Sequence, residues 1–274
     1  MANHVELRFS ALTDSGKVRS QNEDAIAILP QHGVAILADG MGGYSAGEIA
    51  SRIAVDVCVA ALEQGLQVFN WWRVADRDER LAQLIRDTVV KANIAINDAA
   101  QQEPQYAGMG TTLVVALLHH DRLLLAHLGD SRAYRLRDGC LEQLTRDHSQ
   151  VQEQVDAGLL SAEQARHAPN RNLVTRALGI AREIDTELHI FNVKSGDIYL
   201  LCSDGLSDMV IDAEIKDILY GVGTSLDRAS SGLVERANQL GGLDNISVVI
   251  IRVEALNPIY RGVIGRMLNW MRLY

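Results

Sequence analysis

The sequence predicts an α+β fold, with antiparallel strands gathered in sheets and helices outside them. Three observations lead there. Short apolar runs bounded by turn residues recur along the chain, as buried strands do. Two long stretches, one starting near Ile49 and one near Asp78, switch to helical spacing. The elements come as strands, two helices, many strands, then helices and a last strand, which is not the strict alternation of a parallel sheet.

Residues 7–13 alternate and read as an edge strand, closed by the turn Asp14-Ser15-Gly16-Lys17. Residues 18–24 are polar and crowded with ionisable groups. Residues 25–29 return to a strand. The run 34–38 is apolar throughout and ends in Asp39, where the strand is expected to leave its sheet. Gly40, Gly42 and Gly43 follow and let the backbone approach a ligand closely.

Ile49, Ile53, Ala54, Val57, Cys58 and Leu62 fall on one helical face, and Leu81, Leu84, Ile85, Val89, Ala92 and Ile96 on another, in a helix expected over 78–100. Between them Phe69, Asn70, Trp71 and Trp72 read as a loop or frayed turn. Its tryptophans are expected to pack on their own helices rather than to form a docking site. A strand over 108–118 and one over 122–128 form a hairpin, with His119-His120-Asp121 as a solvated tip rather than a metal site. Residues 131–136 and 140–144 make another around Asp138-Gly139. Residues 146–179 are polar with short helical pieces and read as a surface flap. Strands at 186–192 and 197–202, helices at 213–220 and 226–240, and a strand at 246–253 complete the domain.

Residues 1–254 thus read as one domain and 255–274 as a tail. In the tail Ile259, Val263, Ile264, Met267, Leu268 and Met271 share a helical face away from Arg261, Arg266 and Arg272. A C-terminal helix packed on its own domain is the expectation. An amphipathic anchor for a membrane surface or partner is the alternative.

The 274 residues, 47% hydrophobic, suffice for one large or two small domains, and four prolines leave no Pro-rich linker. A net charge of -9 argues against a nucleic-acid binder. No apolar run approaches the ~18 residues of a membrane helix, and the first ten residues lack the apolar centre of a signal peptide. Cys58, Cys140 and Cys202 show no paired spacing, which fits a reduced compartment and no structural zinc. A cytoplasmic location is expected.

The chemistry lies in a repeated pattern. Apolar runs end at Asp39, at Gly129-Asp130 and at Ser203-Asp204-Gly205, while Asp244-Asn245 precedes the last run. An aspartate that ends one strand and one that opens its antiparallel neighbour lie at the same sheet edge, so these four acids are expected to converge. Each alone reads as a turn or cap residue; the repetition carries the signal. Carboxylates and bare carbonyls are hard ligands that suit Mg²⁺ or Mn²⁺ rather than zinc. Asp39, beside the carbonyl of Gly40, is the candidate bridge between two ions; Asp204 and Asp244 would complete one, Glu23 and Asp24 would hold waters of the other, and Arg19 would grip a phosphate. Cys202 lies inside an apolar run without a Cys-x₅-Arg loop, no Gly-x-Ser-x-Gly elbow occurs, and DGMGG lacks the Lys-Ser/Thr of a P-loop.

Arg19…Asn22-Glu23-Asp24, Ala38-Asp39-Gly40-Met41-Gly42-Gly43, Gly110-Thr111-Thr112, Gly129-Asp130-Ser131-Arg132, Asp147-His148-Ser149, Ser203-Asp204-Gly205-Leu206 and Asp244-Asn245-Ile246-Ser247 occur in the order of the metal-dependent type 2C protein Ser/Thr phosphatases, the PPM family. The chain resembles its compact bacterial members, which oppose Hanks-type kinases, over about residues 7–253. The resemblance implies a four-layer α-β-β-α sandwich, two central antiparallel sheets flanked by helices. It implies Mn²⁺- or Mg²⁺-dependent removal of phosphate from phosphoserine and phosphothreonine proteins by a metal-bound hydroxide attacking in line, with a cognate Ser/Thr kinase as partner.

By motif position the resemblance implies that Asp39, the Gly40 carbonyl, Asp204 and Asp244 hold two ions, with Glu23 acting through water and Asp24 behind them. Asp130 would join Asp204 at a weaker third ion, and Arg19 would take the phosphate. Arg146, Asp147, His148 and Asn172 would belong to the substrate flap. Met41 stands where animal members carry a histidine proposed as general acid. The rival readings are a non-catalytic regulator on the same fold, and a phosphatase of a small phosphoester or an anti-sigma antagonist.

Overall fold

A computed structural model of the chain describes residues 5–43, 46–68, 76–166, 168–221, 223 and 225–256. The alternating first strand, β1 (Val5–Asp14), lies at the edge of a five-stranded sheet. It pairs with β11 (Ile246–Leu256), with one register shift between Glu6 and Leu7. The sheet continues through β10 (Ile198–Cys202), β7 (Arg132–Arg137) and β8 (Cys140–Gln143). The second sheet runs β2 (Asp24–Leu29), β3 (Val34–Met41), β5 (Leu113–His119), β6 (Arg122–Leu128) and β9 (Glu187–Asn192), with the short β4 (Gly110–Thr111) added to the end of β3. Every ladder in both sheets is antiparallel.

The unbroken apolar runs are strands covered on both faces. In β3, Val34, Ile36 and Ala38 face α1 (Ala46–Val68) and α2 (Arg77–Gln102), meeting Ala50, Ala54, Leu62, Ile85 and Val89. Ala35 and Leu37 face the other way, onto Val249, Ile251, Tyr199 and Leu201 of the opposite sheet. A third cluster joins the outer face of the first sheet to helices, with Leu200, Val248 and Ile250 packed against Ile215, Leu219, Ala229 and Leu233. Each fully buried Leu, Ile or Val is worth roughly 1.5–3 kcal/mol of transfer free energy. The three cores stack four layers: helices, sheet, sheet, helices. Among the described residues five more α-helical pieces lie on the flap and beside the first sheet: α3 (Gln150–Asp156) and α4 (Ala162–Arg166), then the short α5 (Asp204–Ser207), α6 (Asp212–Gly221) and α7 (Leu226–Gln239). Among the described residues no helix is long and apolar enough to cross a membrane.

The structure departs from the sequence reading in a few places. β3 does not leave its sheet at Asp39: Gly40 and Met41 continue it by pairing with Thr111 and Gly110. The one-turn α5, which starts at Asp204, has too few residues to show a helical period. His120 is buried rather than solvated, its ring edge-on to that of His119 at 4.3 Å. The last strand runs to Leu256 and so takes in the first residues of the tail. Trp71, Trp72 and the tail beyond residue 256 lie outside the described residues.

Candidate active site

Strand topology brings the separate acids to one end of the sandwich. Asp24 and Asp39 are register partners on β2 and β3. Asp204 follows β10 and Asp244 precedes β11, and these two strands pair with Cys202 opposite Val248. Asp130 lies where the chain passes from β6 in one sheet to β7 in the other. Arg19, Glu23, Asp39, Gly40, Asp130, Asn172, Asp204 and Asp244 together line one pocket of about 210 Å³. Asp24 stands behind it, buried, with Oδ2 accepting from Ser203 Oγ at 2.9 Å.

So many acids with so few cations form an unbalanced cluster. Burial, reinforced by neighbouring carboxylates, pushes the Asp39 and Asp204 carboxyls well above the usual range. Burial and then the charge of Asp147 raise Asp130 to about 7, and burial raises Asp24 to about 6. The Glu23 carboxyl is raised for the same first reason. Arg19 Nη2 donates to Asp244 Oδ2 at 2.8 Å, and that bond raises the guanidinium pKa.

The residues present fit a hard divalent cation. The donors are carboxylates and a backbone carbonyl, the oxygen set such ions take. Asp24 Oδ1 is buried without a hydrogen-bond partner, a cost that a nearby cation or its water would offset. Gly40 packs so closely that a Cβ there would lie 2.1 Å from the Gly47 carbonyl oxygen, so its backbone is held rigidly beside Asp39.

Polar residues with no role in the sequence reading hold the acids in place. Asp39 N donates to Thr112 Oγ1 at 3.0 Å, and Asp39 O accepts from Thr112 N and Thr111 Oγ1, both at 2.8 Å. Asn245 Oδ1 accepts from Glu23 N at 2.8 Å, while Nδ2 donates to the carbonyls of Ser15 and Gln21 at 3.1 and 2.9 Å. It thereby pins the loop that carries Arg19 and Glu23. Thr112, Met41, Gly42 and Val174 also line the pocket. The one local signal for Thr112 and Asn245 was a polar residue set at the mouth of an apolar run.

Of the four flap residues, Asn172 lines the pocket; Arg146, Asp147 and His148 do not. Arg146 pairs with Asp156. Asp147 takes Arg132 in a two-pronged ion pair, with nitrogen–oxygen distances of 2.9 and 2.6 Å. His148 is buried against Gly129 and Glu187. Asp147 and His148 tie the base of the segment to the sandwich, while the Arg146 side chain pairs within the segment itself.

The sequence pattern of the family described as protein phosphatase 2C matches residues 16–239. The chain belongs to the protein phosphatase 2C family. It is 35% identical to the serine/threonine phosphatase stp of Listeria monocytogenes over 251 residues, 90% of this chain and 95% of the relative. The fold is similar to the crystal structure of the Mycobacterium tuberculosis serine/threonine phosphatase PstP, with a TM-score of 0.82 and 38% identity over 91% of this chain and 99% of that one. It is also similar to a PstP catalytic domain in complex with two manganese ions, with a TM-score of 0.79 and 37% identity over 91% of this chain and 99% of that one.

Proposed function

We propose that this member of the protein phosphatase 2C family is a divalent-cation-dependent protein serine/threonine phosphatase acting through the pocket above. The observation that carries the proposal is the convergence of Glu23, Asp39, Asp130, Asp204 and Asp244 with Arg19 on one pocket. The family match and the names of the relatives support it. The manganese ions of the PstP complex support the choice of cofactor, Mn²⁺ or Mg²⁺.

In this reading Asp39, the Gly40 carbonyl, Asp204 and Asp244 would hold two ions, Glu23 would act through water with Asp24 supporting the set from behind, and Asp130 with Asp204 would hold a weaker third. Two such ions, when bound, neutralise phosphate charge and acidify water enough to attack phosphorus at neutral pH. The chain's own residues do the rest. Arg19, at the exposed edge of the pocket, presents a fork that fits two phosphate oxygens and exchanges its bond to Asp244 for them. Thr112 and Asn245 keep the acids from spreading under mutual repulsion. Asn172 and Val174 form the wall against which the phosphorylated side chain lies.

The substrates are phosphoproteins, and the partner this implies is a Ser/Thr kinase whose products the chain reverses. The free, mostly buried cysteines favour a reducing, cytoplasmic setting. The test is hydrolysis of phosphoserine and phosphothreonine peptides by purified protein with Mn²⁺ and after chelation. Turnover that vanishes on chelation and returns with Mn²⁺ is expected. Manganese-loaded protein that leaves every phosphopeptide intact would overturn the proposal.

A further inference from the structure

Beside the pocket, His127, His148 and Glu187 bring nitrogen and carboxylate ligand atoms within 4.8 Å of one another. The composition suggests a second metal site, but the ring geometry opposes it. The His127 and His148 rings are stacked, with centroids 4.7 Å apart and planes 10° from parallel. An imidazole holds a metal in its own ring plane, and two near-parallel planes do not meet at one ion. The nitrogens are also engaged. His127 Nε2 lies 2.9 Å from the Arg146 carbonyl and donates to it. His148 Nδ1 accepts from Gly129 N at 3.1 Å, which leaves Nε2 to donate to Glu187 Oε2 at 3.0 Å.

We propose that His148 is a positioning residue: it clamps the turn carrying Asp130 to the flap wall carrying Asn172 and Val174, so that both sides of the pocket are held in one register. His148 grips Gly129 twice, through Nδ1 and through its own amide, which donates to the Gly129 carbonyl at 2.9 Å. The His148 carbonyl in turn accepts from Thr175 N at 2.8 Å, and Gln150 N donates to the Leu173 carbonyl at 2.9 Å. Val174 is thus bracketed by bonds to the residues around His148, and Ser149 bridges it directly. Gly129 has φ +99°, and a Cβ there would meet Thr112 Cγ2 at 2.6 Å. The same Thr112 holds Asp39 N. Glu187 completes the clamp from β9, taking His148 on one oxygen and His189 on the other at 2.8 Å.

The kinetic arm of the test rests on the proposed phosphatase activity; the exchange arm does not. His148→Asn keeps an acceptor where Nδ1 lies, and His148→Gln keeps a polar atom near Nε2 but loses the side-chain bond from Gly129 N. In His148→Gln, amide hydrogen exchange at Gly129 and Thr175 is expected to speed up by about tenfold or more, the Mn²⁺ concentration for half-activity to rise, and kcat/KM to fall roughly 10- to 100-fold. His148→Asn, which keeps the acceptor for Gly129 N but loses the Glu187 bond, is expected to fall between the parent and His148→Gln on all three. If His148→Gln does not fold, Glu187→Gln is expected to speed Gly129 exchange in the same direction. Unchanged exchange in whichever of these variants folds, or equal losses in the Asn and Gln variants, would overturn the clamp. A parent chain that hydrolyses no phosphopeptide would overturn the proposed function, while the exchange rates would still decide on His148.

Discussion

Asp24 and Asp39 sit directly opposite each other on neighbouring strands, a buried and a half-buried acid in one register pair. Like charges so placed destabilise an antiparallel ladder, and burial pushes both carboxyls up, Asp24 to about 6 and Asp39 further. A fold that keeps such a pair at the pocket is built around a cation supplied from outside.

Asp39→Asn therefore has two opposite effects. Phosphopeptide hydrolysis with Mn²⁺ falls by more than about 100-fold, beyond what losing a residue behind a metal ligand costs. The metal-free protein becomes more stable, because one member of the repelling set is gone. A gain of about 1 kcal/mol raises the melting temperature by roughly 2–4 °C in a chain of this size. Substantial turnover in excess Mn²⁺, or a lower melting temperature in chelator, contradicts the assignment.

The raised carboxyls also set a pH dependence. Asp130 titrates at about 7 and Asp24 at about 6 in the folded chain, against about 3.9 for Asp when unfolded. Between those values the folded state holds protons that the unfolded state has released, so stability falls as pH rises. Each carboxyl caught in that window contributes roughly 1.4 kcal/mol per pH unit. Glu187 acts in the opposite sense: although partial burial raises its carboxyl, hydrogen bonds from His189 and His148 outweigh that and lower it to about 2. Its stabilisation is lost only as pH falls toward that value. Chelated protein should thus melt at lower temperature as the buffer goes from about pH 5 to about pH 8. Saturating Mn²⁺ should flatten or reverse the trend, since the ions bind the deprotonated acids. A metal-free melting temperature that climbs over this interval would show that the acids are not the controlling groups.

The layers were readable because the apolar runs at Val34, Leu113, Leu123 and Ile198 are too continuous for strands with a wet face, and the structure buries both faces of each. The acids were readable because each follows or precedes such a run. Long-range partnerships were not. The bond from Glu23 N to Asn245 spans 222 residues of chain, and no local pattern announces it. His148 lies in a polar stretch that reads as solvated, yet it is buried, because its ring packs on His127 and its nitrogens are taken by Gly129 and Glu187.

Arg19 separates phosphate recognition from metal holding. Its guanidinium is half in solvent and bonded to Asp244, so its removal leaves the cores untouched. Arg19→Ala should lower kcat/KM for a phosphoserine peptide by roughly 10- to 100-fold, the equivalent of the ~1.5–3 kcal/mol of a hydrogen bond to a charged group. Arg19→Lys should recover little, because a single ammonium cannot span two phosphate oxygens. Equal rates for Arg19→Lys and the parent would remove the fork from the account.

Asn245 supplies the last test, since it contacts the acid-bearing loop through three bonds rather than through charge. Asn245→Ala frees Glu23 N and the carbonyls of Ser15 and Gln21. At about 1 kcal/mol net for each bond, the loss of stability should be roughly 2–4 kcal/mol. Asn245→Asp keeps the acceptor for Glu23 N but loses the two donated bonds and adds another negative charge to the cluster. It should therefore be the less stable of the two in chelator and regain most of the difference with Mn²⁺. Comparing the two melting temperatures with and without the ion distinguishes a loop anchor from a simple packing residue. Identical values for both variants under both conditions would rule out electrostatic coupling between Asn245 and the pocket.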